Sequence, residues 1–368
     1  MRKSQDILLS LIRKALWNNG RMVFTSVPDW RKILLLAERQ TILGLIATVI
    51  PDLDPEMKPD SVSMIRLQKK VMKIYHSHAI LNRKVAETAT LLDSHGIRSF
   101  LLKGQGTALN YPDPLSRQCG DIDLYVGNDN FIAALDVLEP GVTHEFRKFR
   151  HLKHFNKKDG GVEIEIHRLA DNLPGRKADR MFQEWTVRSL AGTELRKGKI
   201  GGIDINLPPA AFDAVYIMNH AWHHFLIGGI GLRQICDWTM HLHRYNKEID
   251  PDILENDLRK FGLMDAWQIF ASISVRKLGL PESECPLYTG EADSKADKVM
   301  DIIWAEGNFG YHSSLRRNPR PEGFIAGKLY TFRINTQRVF RIISICPKDI
   351  ILYWASFLRY GIHKVLNR

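Results

Sequence analysis

LLKGQGTALNYPDPLSRQCGDIDLYV, residues 101–126, is the stretch whose reading decides the fold. Its last six residues, DIDLYV, alternate in polarity as a strand does. Asp121 and Asp123 therefore share one face, while Ile122 and Leu124 take the other. Two carboxylates on one face repel unless a cation neutralises them, and oxygen ligands of this hardness suit Mg²⁺ shared with substrate phosphates. A DxD pair alone also fits a surface strand with polar outer residues. Upstream, IRSFLLK (97–103) reads as a second strand, ended by Gly104. Lys103, Gly104, Gln105 and Gly106 then turn into a short helix, so a lysine and backbone N–H groups stand where a phosphate chain can be met. The plain alternative is a strand-to-helix turn.

Downstream, GVEIEIHR (161–168) alternates as cleanly, with Val162, Ile164 and Ile166 on one face and Glu163, Glu165 and His167 on the other. A third carboxylate is thus available from Glu165 or Glu163. A weaker β-like run, HEFRKFRHLKHF (144–155), precedes it, and DNFIAALDVL (129–138) reads as a helix. Apolar residues before this region recur near a 3.6 period from LLSLIRKAL to the long SVSMIRLQKK segment, which Gly96 stops as a C-terminal cap. From Pro208 the helical period returns and continues to the end. The expected fold is α+β, a small mixed β-sheet core (86–207) flanked by helical regions at 1–85 and 208–368, the last with a basic tail.

Composition fits a globular chain: 44% of the 368 residues are hydrophobic and 25% charged, so disorder is set aside except at the ends. Four scattered cysteines suggest neither a zinc ribbon nor a disulfide framework, which points to a reducing cytosol. Charged residues interrupt the N-terminal apolar run, so the start reads as an amphipathic helix rather than a signal peptide. No apolar run approaches the ~20 residues that span a bilayer. Of the formal +11, a net +9 lies in residues 309–368, where eleven lysines and arginines face two acidic residues. That tail is expected to meet an anionic membrane surface, peripherally at the inner membrane, or a polyanion, unless it is a core helix whose arginines snorkel.

NHAWHHFLIGGIGLRQICDW places His220 and His224 four apart, a spacing compatible with zinc, but the glutamate of an HExxH site is missing. The helix is expected to lend His220 or His223 to the acceptor side of a cleft or to cap an internal contact. Arg233 and Asp237, also four apart, read as an ion pair.

Taken together, LKG, an arginine shortly before GDIDL, and a third carboxylate two residues before a histidine resemble the DNA polymerase β nucleotidyltransferase superfamily. The closer likeness is to its bacterial branch of uncharacterised nucleotidyltransferases. Lys103, Gly104, Arg117, Asp121, Asp123, Glu165 and His167 match position by position over roughly residues 85–207. The departure is Gly104-Gln105, where the superfamily has Gly-Gly or Gly-Ser. The resemblance implies transfer of an NMP group from an NTP to an acceptor hydroxyl on a small molecule, sugar or protein, with pyrophosphate released. Asp121, Asp123 and Glu165 would hold two Mg²⁺ ions, Glu165 also serving as general base. Lys103, Gly104, Gln105, Arg117 and His167 would contact the nucleotide. The alternative is a catalytically silent relative that binds nucleotide or nucleic acid.

Overall fold

The computed structural model describes residues 2–18, 24, 26–145, 152–156, 162–192, 195–316 and 319–366, with side chains described as far as Arg359. Four helices come first: α1 (Arg2–Trp17), α2 (Trp30–Arg39), α3 (Leu43–Ala47) and α4 (Ser61–Ser94). The apolar stripe of α1, Leu8, Leu11, Ile12 and Leu16, is buried in the main hydrophobic core. Side chains of Asp29 and Asp60 accept from the backbone N–H of Lys32 and Ser63, satisfying the open first turns of α2 and α4. With 34 residues, α4 runs about 50 Å, continuous through position 85. It ends as the sequence predicts, with Gly96 at φ +71° and the Ile97 N–H bonded to the Leu92 carbonyl.

The sheet comprises β1 (Phe100–Leu101), β2 (Asp121–Tyr125), β3 (Leu152–Asn156) and β4 (Glu163–His167), in the order β1-β2-β4-β3. Between β1 and β2 lies the short α5 (Gln105–Ala108), and α6 (Gly127–Leu138) follows β2. The β2–β4 pair is parallel and the other two pairs are antiparallel, so the sheet is mixed as expected. Ile122, Leu124, Ile164 and Ile166 pack with Leu81 and Val85 of α4 and Phe131 and Leu135 of α6 in one apolar cluster. The expected run at 144–155 is strand from Leu152; residues 146–151 lie outside those described.

Two elements after β4, a helix and a hairpin, are not among those the sequence suggests. After α7 (Arg176–Ala191), β5 (Arg196–Ile200) and β6 (Ile203–Leu207) form a separate hairpin around Gly201-Gly202, whose φ angles of +60° and +90° fit a two-residue turn. Strand β5 reads RKGKI, too polar to register as a strand. Its Ile200, with Ile205 and Leu207 of β6, joins the apolar cluster of the sheet.

The remaining chain is helical: α8 (Ala210–Ile227), α9 (Leu232–Tyr245), α10 (Pro251–Phe261), α11 (Met264–Ile273), α12 (Asp293–Glu306), α13 (Phe324–Ile342) and α14 (Pro347–Leu366). Trp238, Trp267, Phe225 and Phe270 fill the main core, and the Trp238 indole N–H donates to the Ala214 carbonyl at 2.8 Å. Arg338 of α13 is buried. It donates to Glu306 at 2.7 Å and to the Leu226 and Phe225 carbonyls, placing a cation at the C-terminal end of α8. Arg341 also bonds Glu306. Two of the tail's arginines are therefore fastened to the core. No helix among the described residues is long and apolar enough to cross a membrane.

Buried His241 on α9 gives a pH prediction. Its Nε2–H donates to the Ala210 carbonyl at 2.8 Å, and its Nδ1 is buried with no hydrogen-bond partner among the described residues. Burial first, then the Arg196 charge, depresses its pKa to about 3. Between that value and the ordinary value near 6.5 the unfolded chain takes a proton that the folded chain refuses, so stability falls as pH drops through this window. Urea unfolding at about pH 7 and about pH 4 should show His241→Gln losing about 2–3 kcal/mol less than wild type. Equal losses would remove His241 from the account.

Candidate active site

The register of β2 against β4 builds the site. Asp121 lies opposite Glu163, Asp123 opposite Glu165, and Tyr125 opposite His167. Because both strands alternate, the apolar residues of each row enter the core and the acidic rows share the opposite face. Asp123 is fully buried there, whereas the Asp121 side chain is 41% exposed at the strand's entry. Lys103, at the end of the extended segment leading from β1, reaches across with its Nζ 3.1 Å from Asp123 Oδ1 and 4.0 Å from Asp121 Oδ2. Gly104, at φ +62°, makes the turn that follows; a Cβ there would also sit 3.3 Å from the Asp121 carbonyl oxygen.

His167 Nε2 stands 3.1 Å from Asp123 Oδ1 and 3.3 Å from Glu165 Oε2. Burial opposes charging this ring, but hydrogen bonds to the two carboxylates outweigh it and raise the pKa to about 9. Burial likewise works to raise the pKa of Asp123. The Lys103 and His167 charges overcome it and hold the carboxyl well below its ordinary range. His154 of β3 adds an exposed partner, 2.8 Å from Glu163 and 2.9 Å from Glu165.

Ligand atoms of Asp123, Glu165 and His167 lie within 4.8 Å of one another. Asp123 Oδ2 is buried and accepts from no described residue. A hard divalent cation fits the two carboxylates, one of them ionised with a free buried oxygen; His167, charged beside them, would join as a ligand only by giving up its proton. Asp121 faces the same cleft but stands outside that three-residue group, and His167 stands within it.

Helix α8 forms the opposite wall of a cleft of about 430 Å³. His220 Nε2 accepts from Lys103 Nζ at 2.9 Å, which puts the ring proton on Nδ1, 3.6 Å from Asp171 Oδ2. Asp171 also accepts from Asn219 at 3.1 Å and lies 3.3 Å from His223 Nδ1. A line of contacts thus runs from Asp171 through His220 and Lys103 to Asp123. Burial, then the Lys103 charge, lowers the His220 pKa. The same effects, with His220 second, bring His224 to about 2. Asp171, between β4 and α7, was absent from the sequence reading; nothing in its RLAD context marks it.

Arg117 lines the cleft, but its guanidinium is occupied by Asp237, with Nε 2.9 Å from Oδ1 and Nη2 2.6 Å from Oδ2, and Tyr111 donates to the same carboxylate at 2.7 Å. The Arg233–Asp237 pair expected within α9 does not form, because Asp237 turns inward to Arg117 and Arg233 donates to the Gln118 carbonyl. Gln105 is buried and is not among the cleft-lining residues.

No curated protein matches the chain. A solved structure of an antigenic nucleotidyltransferase-like protein from Paracoccidioides brasiliensis is similar over 59% of this chain and 94% of that one, at 15% identity and a TM-score of 0.30, too shallow to carry an argument. The sequence profile of a family described as "Uncharacterised nucleotidyltransferase" matches residues 26–277, from the N-terminal helices through the sheet and the histidine-bearing wall of the cleft. The chain belongs to that uncharacterised nucleotidyltransferase family.

Proposed function

We propose that this protein transfers an NMP group from an NTP to an acceptor hydroxyl, with Mg²⁺ held by Asp121, Asp123 and Glu165 and assisted by His167. The observation that carries this reading is the register pair Asp123–Glu165 with Lys103 against it: Glu165 and Lys103 line a cleft of about 430 Å³, and Asp123 lies fully buried in contact with Lys103. Pockets of this size take small-molecule ligands. Bound Mg²⁺, as two ions, would draw the phosphates to the carboxylates and acidify the attacking hydroxyl.

The chain's own residues supply the rest. Glu165 takes the acceptor's proton as that oxygen bonds the α-phosphorus and the bond to pyrophosphate breaks. Lys103 offsets charge gathering on the departing pyrophosphate, and Gly104 lets the backbone approach it. Arg117 holds the cleft wall through Asp237 rather than gripping phosphate. The basic tail adds an anionic partner to this reading, a membrane surface or a polyanion. Incubation with Mg²⁺, each NTP and an acceptor panel tests the activity. Pyrophosphate release that requires the acceptor supports it, and nucleotide binding without turnover across the panel supports a silent, nucleotide-binding relative instead.

His220 is a positioning residue in this scheme, since it holds the Lys103 ammonium from behind. His220→Ala is expected to lower kcat about 10–100-fold with KM for the NTP changed far less. His220→Gln, which keeps an acceptor for the lysine, should recover part of the rate. A purely structural role would instead show equal losses in both variants alongside a lower unfolding midpoint.

A further inference from the structure

The outward face of α13 does something its sequence period alone does not reveal. Ile325, Leu329, Phe332, Thr336, Phe340 and Ile343 recur at helical spacing along one side, from α13 to the residue just past it. A core helix would turn such a stripe inward. Here Ile325, 73% exposed, Leu329, 64%, and Phe340, 74%, face solvent, while between them Phe332 rests half-exposed beside Trp354 of α14 and Thr336 turns its hydroxyl inward. The buried side of the helix is instead Gly327, Asn335, Arg338 and Ile342, fastened by the Arg338–Glu306 pair and the α8 carbonyls. The exposed row spans about 27 Å at 1.5 Å per residue.

Charge selects the occupant. Residues 323–348 contain no Asp or Glu and five basic residues. Arg338 and Arg341 bond Glu306, while Lys328 and Arg333 flank the apolar row and Lys348 follows it in chain order. Stacking a second copy on this face would set cations against cations. A nucleic acid would satisfy the cations but leave Ile325, Leu329 and Phe340 in water. An anionic bilayer rewards both features, taking the apolar side chains to the acyl boundary and the flanking cations to the headgroups. We infer that α13 is an in-plane membrane-docking helix that seats the protein on an anionic lipid surface. The inference does not depend on the catalytic reading, because it rests on a different face.

Co-sedimentation of the full chain tests it, with vesicles of phosphatidylcholine alone and of equal parts phosphatidylcholine and phosphatidylglycerol. Wild type should pellet with the anionic vesicles, release as salt is raised, and bind the neutral ones weakly. The double variant Leu329→Glu, Phe340→Glu, altered only at exposed positions, should keep its circular dichroism spectrum and bind at least about tenfold more weakly. Three results overturn the inference: wild type left in the supernatant with anionic vesicles, a variant that binds equally well, or light scattering that shows a dimer which the variant dissolves.

Discussion

Asp123→Asn should lower nucleotidyl transfer by about a thousandfold or more, the largest effect expected on activity. The change keeps the side chain's shape but removes the charge that Lys103 Nζ, at 3.1 Å, and His167 Nε2, at 3.1 Å, both answer. It also removes one of the carboxylates we assign to the cation. Asp121→Asn should also abolish most activity, and since its side chain is 41% exposed its unfolding midpoint should stay close to wild type. Single-turnover pyrophosphate release with circular dichroism on the same samples checks both. Wild-type turnover in a folded Asp123→Asn variant contradicts the assignment.

The largest expected effect on stability belongs to Asp237→Ala. This substitution strips a nearly buried arginine of its bidentate partner and leaves the Tyr111 hydroxyl without its acceptor. Breaking a buried ion pair from one side costs about 3–5 kcal/mol, while replacing both partners by apolar residues is often close to neutral. Chemical denaturation should therefore show a large loss in Asp237→Ala and recovery of most of it in Arg117→Met with Asp237→Leu. Because Arg117 is engaged with Asp237 rather than free, the folded double variant should keep most of its transfer activity. Its inactivity would return Arg117 to the phosphates.

What could be read in the sequence follows the range of the forces involved. Strand alternation is local, so the acidic faces of 121–126 and 161–168 were visible, as was the Gly96 cap. That Asp123 comes to lie opposite Glu165 depends on a parallel pairing that no alternation encodes. The Lys103–His220 contact joins residues 117 positions apart and is a product of helix packing. In the β5–β6 hairpin, the two glycines were a legible turn signal, yet the polar RKGKI strand beside them gave no period to notice. The tail shows the limit most clearly: its helical period was readable, but which side meets solvent was decided by Arg338 reaching Glu306. Arg233 and Asp237 had the right spacing for a pair, and a stronger partner elsewhere in the chain prevailed.

The central claim is that Asp121, Asp123 and Glu165 hold divalent cations against a triphosphate. The most direct measurement is a crystal structure of the full chain with Mn²⁺ and a non-hydrolysable NTP, with anomalous density marking the metal. We predict a metal peak within about 2.3 Å of Asp123 and Glu165 carboxylate oxygens, with the phosphate chain beside Lys103. A bound nucleotide lying away from Lys103, or an anomalous peak remote from these carboxylates, would contradict the account.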